Sequence, residues 1–476
     1  MSQSQAERVK KEFSLLGLNK IVFYILILLL PTQLGKHFWP TFSEVLGIRI
    51  DYLSPTLYAT DILIIVLFLF WCKKQNFNKF FKNISSPWLI FFIYLSINTL
   101  LSNNPLLSLY GLTKVLELFF LGYYITQLGM NKKELSKIAW IIAVSVIVES
   151  LLAIAQYLHQ GSLNGLLYFL GERKFSASAP GIANASINGQ LLLRPYGTFP
   201  HPNVLAGYLL CMMVFIYSFF NVRKSIVKKS IKLFVLILGS IALMLTLSRV
   251  AIVLWLIMVI AVLLKKVKVT IRRVSLRATD KERGNPVVDR DCFVVHYRGA
   301  PRKDNFWVLS EHLQLKKQYL IFIMAIVILV FYFGSSIVPR LLATSITEEA
   351  FTQREELIKS AITIIKSDPL LGVGIYNFIP SLSHVQKPIS GLFYFQPVHN
   401  NFLLLTAEIG IIGLLFFLFF IFKTYQRLIK AHNTRSNTLL IALSIIFVLG
   451  LFDHYFLTIQ QGQLLLAFIF GLCWAI

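Results

Sequence analysis

Most of the polar chemistry between two long apolar stretches sits in the decapeptide Arg194-Pro-Tyr-Gly-Thr-Phe-Pro-His-Pro-Asn203. Pro195, Pro200 and Pro202 exclude a regular helix there. The loop presents a permanent cation, Arg194, an imidazole, His201, and an amide, Asn203. A fixed guanidinium points to an anion, and phosphate is the first candidate. Further polar groups recur at the ends of other apolar stretches: Ser248-Arg249, Arg354, His399-Asn400 and Asp453-His454-Tyr455. An arginine at the end of an apolar helix is costly unless it snorkels or is paired.

Each residue has a plain reading beside the chemical one. Arg249 can snorkel to lipid headgroups. Arg354, beside Glu355 and Glu356, can belong to a solvated helix face. His399 can be an interfacial histidine, and Asp453-His454 a structural pair joining helix ends. Taken together, three arginines, two or three histidines and two asparagines without metal-ligand spacing fit a pyrophosphate pocket better than separate coincidences. That weighting requires all of them to lie on one side of the elements that carry them.

Those elements are membrane spans. Apolar residues make up 56% of the 476-residue chain, charged residues only 14%, and the mean hydropathy is +0.68. A soluble domain cannot hide so much apolar surface. The runs predict about 12 helices of roughly 20 residues each. They fall near 20–36, 56–72, 87–102, 106–127, 135–158, 203–221, 231–248, 250–266, 318–337, 401–422, 437–454 and 459–476. The first run lacks a small-residue cleavage site and reads as a retained span. Cys72, Cys211, Cys292 and Cys473 have no CxxC spacing, so neither disulfides nor a thiolate metal site is expected.

The net charge of +24 follows from orientation rather than from nucleic-acid binding. With a cytoplasmic N-terminus, inner segments hold 34 of the 46 lysines and arginines. That asymmetry places both termini inside. The whole chain, 1–476, then reads as one polytopic membrane domain with two long connections. Residues 267–317 form a basic cytoplasmic insert. Residues 338–400 form an extracytoplasmic loop, with a helix over 347–366 whose apolar stripe is Phe351, Leu357, Ile358, Ala361, Ile362 and Ile365. All the polar groups above fall on the outer face. Lys114 and Glu117 lie within the fourth span, at a spacing that lets them pair on one helical face.

In combination these motifs resemble the O-antigen ligase and polymerase superfamily of bacterial envelope enzymes. The family loop R-x-x-G-T-F-x-x-P-N appears as residues 194–203, and its S-R pair as Ser248-Arg249. The ligase signature, His-[Asn/Ser/Gln], nine residues, then G-x-x-G, appears as His399-Asn400 followed by Gly410-Ile-Ile-Gly413. An arginine opening a helix that ends in D/N-P-x-x-G-x-G appears as Arg354 and Asp368-Pro-Leu-Leu-Gly-Val-Gly374. The Asp453-His454 pair is also shared. The resemblance covers roughly residues 185–460, and the first five spans match only in general character. Val253 stands where the family often has leucine, and the insert 267–317 is longer than the family's loop. Within the insert, Asp289-Arg-Asp291 has a D-x-D form, on the face opposite the other groups.

The resemblance implies an all-α integral membrane glycosyltransferase of GT-C-like architecture in the bacterial inner membrane, with its site facing the exterior. It implies an undecaprenyl-pyrophosphate-linked glycan as donor and a glycan or lipid-glycan, such as lipid A core, as acceptor. His399, Arg249 and Arg354 are the expected catalytic residues. Arg194, His201, Asn203, Asn400, Asp453 and His454 are the expected substrate-binding ones. No metal, other cofactor or nucleic acid is expected; membrane lipid is. Fixed arginines can neutralise a leaving pyrophosphate without a metal, and a base near pH 7 suits His399. A repeat-unit polymerase differs only in its acceptor. A lipid-linked glycan flippase would show internal symmetry and midplane charges.

Overall fold

The computed structural model describes residues 17–74, 86–179, 181–187, 190–220, 225–262, 264, 349–386 and 394–476. The ninth expected span, the insert with Asp289 and Asp291, and residues 338–348 lie outside the described residues. The chain divides into two units, Met1–Ser248 with Ser336–Ile476, and Arg249–Ser335.

In the first unit the apolar runs become helices, named here α1 Gly17–Leu28, α2 Ala59–Lys74, α3 Ser86–Leu100, α4 Pro105–Gln127 and α5 Lys132–His159. They continue as α6 Pro202–Phe219 and α7 Ile226–Leu245. The second unit contributes α8 Arg249–Val262. The first unit resumes with α9 Glu349–Ser367, α10 Phe378–Val385, α11 Asn401–Ala431, α12 Thr434–Gly450 and α13 Gln460–Ala475. Four of these, α4, α5, α6 and α11, are long and apolar enough to cross a membrane by themselves. Five shorter apolar helices accompany them. The described helices therefore account for a helical membrane protein without reaching the expected count of twelve.

Side-chain caps start the helices alternately at two ends of the first unit. Asn104, His201 and Asn400 cap α4, α6 and α11. Asn131, Ser225 and Asn433 cap α5, α7 and α12 at the other end. There Lys20 pairs with Glu134 at 3.4 Å and Arg435 donates to the Met130 carbonyl at 3.3 Å. α6 is the most enclosed of the four long helices, 83% of its apolar window being buried. It is apolar on every face, as a helix surrounded by helices must be. By contrast, α11 keeps Leu415 and Phe422 exposed, as a lipid-facing surface requires.

Within the spans, Lys114 donates to Glu117 at 3.0 Å, the pairing expected from their spacing. It also reaches Asp61 at 2.7 Å and Gln460 at 3.3 Å. The lysine thus ties α2, α4 and α13 together, and its charge is balanced inside the bundle.

The caps His201 and Asn400 face irregular segments at one end of the unit. Residues 30–58 form two small antiparallel ladders, β1 Gly35–His37 with β4 Thr56–Tyr58, and β2 Glu44–Val45 with β3 Ile48–Arg49. A 3-10 helix Gly165–Leu170 and a hairpin, β5 Asn184–Ile187 with β6 Gln190–Leu193, lead into the proline-rich loop. α9 packs on α11 and carries the buried stripe Leu357, Ala361 and Ile364. The expected stripe was partly misplaced, because Ile358 and Ile362 are exposed at 41% and 42%.

Candidate active site at the helix ends

The proline-rich loop is held through its backbone by one face of α5. Gln156 accepts from the N–H groups of Tyr196 at 3.0 Å and Gly197 at 2.8 Å, and donates to the Gly197 carbonyl at 3.0 Å. Two turns earlier, Glu149 accepts from Thr198 N at 2.9 Å and from its hydroxyl at 2.7 Å. Gly197 has φ +61°, and a Cβ there would collide with the Glu149 carboxylate. The glycine is therefore required by both conformation and contact. Neither α5 residue was singled out in the sequence, where each reads as an isolated polar residue in an apolar run.

From this loop a hydrogen-bonded chain runs to the end of α12. Arg194 Nε donates to the Thr246 carbonyl at 2.7 Å and its Nη2 to Asn203 Oδ1 at 2.6 Å. Asn203 Nδ2 donates to Asp453 Oδ2 at 2.8 Å. The other Asp453 oxygen accepts from His454 N at 2.8 Å. His454 Nδ1 lies 2.6 Å from the Thr458 hydroxyl, and its ring meets that of His399 edge-on at 5.0 Å between centroids. His201 accepts from Asn203 N through Nδ1 at 3.1 Å. Tyr52, from the 30–58 segment, packs edge-on against His454 at 5.5 Å.

His399 stands at the start of α11 because Asn400 caps that helix. The Asn400 Oδ1 accepts from Phe402 N at 2.9 Å and Leu403 N at 3.0 Å, and its amide donates to the Leu451 carbonyl at 3.1 Å. Both polar ends of Asn400 are thus used inside the protein. The His399 Nδ1 is buried without a hydrogen-bond partner among the described residues. A buried ring nitrogen left unpaired is expensive and rare, which marks it for a ligand proton.

The two glycine motifs serve α11 rather than chemistry. The helix breaks at Ile409 and Gly410, the latter with φ 63° and ψ −178°. Tyr94 donates to the Ile409 carbonyl released there. The run 368–374 docks against the break: Val373 N donates to Ala407 O at 2.9 Å, Gly374 N to Glu408 O at 2.8 Å, and Ile411 N to Pro369 O at 2.9 Å. The D-P-x-x-G-x-G and G-x-x-G elements are two halves of one backbone joint.

Arg354 is exposed on α9 and makes no hydrogen bond or ion pair to a described residue. Its charge bears on His201, His399 and His454. Arg249 opens α8 in the second unit and enters only through the proposal below. The structure thus places Arg194, His201, Asn203, Arg354, His399, Asp453 and His454 near one another, with Tyr52 beside them.

Electrostatically this is a set of neutral imidazoles around one carboxylate. Burial, then the Arg194 guanidinium, pushes His201 down to about 3 against the opposing pull of Asp453. Burial likewise outweighs Asp453 at His454, which falls to about 3. His399 is lowered by burial and by Arg354, again against Asp453. Burial alone would raise the Asp453 carboxyl; the neighbouring imidazoles and the Asn203 amide hold it below its usual range. His399, Asp453 and His454 place ligand atoms within 4.8 Å of one another. Both Asp453 oxygens and His454 Nδ1 are already engaged by protein groups, and the Arg354 charge bears on both imidazoles. That environment suits an anion better than a cation.

Two cavities among the described residues lie elsewhere. One is lined by Lys20, Tyr24 and Glu134, the other by aromatic residues including Trp88, Phe420 and Trp474.

Apolar helices with an arginine-flanked imidazole cluster at their capped ends define an integral membrane protein with a polar site at one end of its bundle. Residues 294–418 match the family model of O-antigen ligase. The matched stretch contains Arg354, His399 and both halves of the glycine joint. No curated protein matches the chain.

Proposed function

We propose that the protein is an O-antigen ligase-type glycosyltransferase that moves a glycan from undecaprenyl pyrophosphate to an acceptor hydroxyl, lipid A core or another envelope glycan. The reading places it in the bacterial cytoplasmic membrane with the site at the outer face. The buried Nδ1 of His399, without a hydrogen-bond partner among the described residues and within the field of Arg354, carries the proposal. A neutral imidazole with a free ring nitrogen is a general base. It takes the acceptor O–H proton while the acceptor oxygen attacks the anomeric carbon. The bond from that carbon to the pyrophosphate oxygen breaks, and the pyrophosphate leaves with the electron pair. In-line attack inverts the carbon.

Arg354 and Arg249 neutralise the developing charge in this reading. Arg194, engaged by Thr246 and Asn203, lends its fixed charge and rigidity to the loop. Asn400 acts through the cap that orients His399. Asn203 and Asp453 connect Arg194 to the imidazoles, and no metal takes part. The intact His-Asn signature favours ligase over repeat-unit polymerase.

The test uses purified protein in lipid with an undecaprenyl-pyrophosphate glycan and a candidate acceptor. His399→Ala abolishes transfer and still binds donor; full transfer by that variant removes the proposed base. Transfer survives a metal chelator; its loss would return His399, Asp453 and His454, or Asp289 and Asp291, to consideration as metal ligands. Donor movement across the bilayer without transfer would identify a flippase.

A further inference from the structure

Residues 163–174 lie shortly beyond the end of α5 and are not used by the proposed chemistry. The segment is a closed loop. Buried Glu172 accepts from Leu163 N and Asn164 N, each at 2.8 Å, and from Gln156 at 2.9 Å, the same Gln156 that holds Gly197. Thr32 and Gln33, just beyond α1, bind the carbonyls of Leu170 and Gly171 at 2.8 and 3.0 Å. Phe175 packs at a tilt against Tyr196 of the proline-rich loop, 4.8 Å between ring centroids.

This rigid frame turns large apolar side chains outward. Leu166 is 84% exposed, Phe169 68%, Tyr168 59% and Leu170 50%. Four such side chains on a segment fastened at both ends form an apolar surface suited to a partner. The segment lies beyond the ends of α1 and α5, at the same end of the first unit as the proline-rich loop. Arg173 follows three residues after Leu170, exposed and without a hydrogen bond or ion pair to a described residue. Its charge acts on the phenols of Tyr52 and Tyr196, which burial otherwise raises. Those rings pack against His454 and His201, and Glu172 and Phe175, on either side of Arg173, are tied to the proline-rich loop through Gln156 and Tyr196.

We propose that residues 163–174 are the docking element for the lipid carrier, with the isoprenoid chain on Leu166, Tyr168, Phe169 and Leu170, and its pyrophosphate on Arg173. The proposal rests on the donor class assigned above. The chemistry recognised is an anionic phosphate joined to a long apolar chain. Arg173 binds the phosphate as the lipid arrives, and the apolar shelf holds the chain beside the site.

Binding of undecaprenyl pyrophosphate, and separately of phosphatidylglycerol, is measured on the full-length protein in nanodiscs of neutral lipid. The unaltered protein is compared with Arg173→Ala, and with a Leu166→Ser, Phe169→Ser double variant. These side chains are exposed, so the fold is preserved, which thermal unfolding verifies. Each variant weakens undecaprenyl-pyrophosphate binding roughly tenfold, the scale of one lost charge-assisted contact, and leaves phosphatidylglycerol unaffected. In transfer assays the donor KM rises and the acceptor KM does not. Unchanged donor affinity in both variants overturns the proposal. Equal losses for both lipids overturn it too, since they would make the segment a general membrane anchor. If the unaltered protein binds no undecaprenyl pyrophosphate, the donor assignment itself fails; if it binds and the variants bind equally, only the docking element fails.

Discussion

Asn400 illustrates how a signature residue can serve a site through the fold, since both ends of its amide are engaged by the backbone. Its side chain caps α11 and fixes the angle at which His399 leaves the helix. Asn400→Ala loses the cap, at about 1 kcal/mol of stability. Asn400→Ser keeps an acceptor and retains most of both stability and activity; equal damage from the two substitutions would assign the amide a direct role. Arg354 belongs to the other kind of residue, exposed and without a hydrogen bond or ion pair to a described residue. Arg354→Lys keeps the charge and loses the bidentate fork. Transfer falls about a hundredfold, on the order of 3 kcal/mol in the transition state. Full activity with lysine would reduce Arg354 to a background charge.

Among the elements, the break in α11 is the most constrained. Gly410 combines a positive φ with an extended ψ, a region essentially confined to glycine, and its missing Cβ leaves room for the Leu370 carbonyl. Gly410→Ala costs on the order of 1–3 kcal/mol for the backbone alone, with further loss where the 368–374 run is pushed away. Thermal unfolding in detergent measures it, and an unchanged melting temperature would mean that the joint is slack. The α5 face poses a similar test. Gln156→Leu strands the Tyr196 and Gly197 N–H groups, at about 1–3 kcal/mol for each buried donor, and loosens the loop that carries Arg194 and His201.

Across the whole molecule, the buried imidazoles couple stability to pH. His201 and His454 have values near 3 in the fold against about 6.5 in the unfolded chain. Between these limits the unfolded chain binds more protons. The folded state therefore has its full advantage above about pH 6.5 and loses it progressively as pH falls towards 3. Melting temperature declines across that window, and His201→Asn, which keeps a cap acceptor, flattens part of the slope. Transfer also fails on the acid side, at a pH below the ordinary imidazole value, as His399 takes up a proton. Sidedness is a second molecule-scale prediction. Cysteines introduced at 160–200 and 338–400 react with an impermeant reagent from outside, and those at 267–317 do not. The reverse pattern would invert the orientation drawn from the charge asymmetry.

Local chemistry alone determined a good deal about this protein. Hydropathy located the apolar helices, because burial in lipid demands long apolar runs regardless of neighbours. Proline and cap residues marked the loop at 194–203 and the start of α11, because helix ends are set by groups close in sequence. The residues His399, Arg354, Asp453 and His454 were legible as motifs. What joins them was not: the Asn203–Asp453 bond spans 250 positions, and only the meeting of α6 with the end of α12 creates it. Tyr52 and Arg173 carry no local signal, since an aromatic or an arginine in a polar loop is ordinary until its neighbours are known. The stripe of α9 shows the same division. Period alone placed Ile358 and Ile362 inward, whereas packing on α11 buried Ile364 instead. Helical periodicity limits which residues share a face; the angle at which the partner helix crosses it decides which of them are covered.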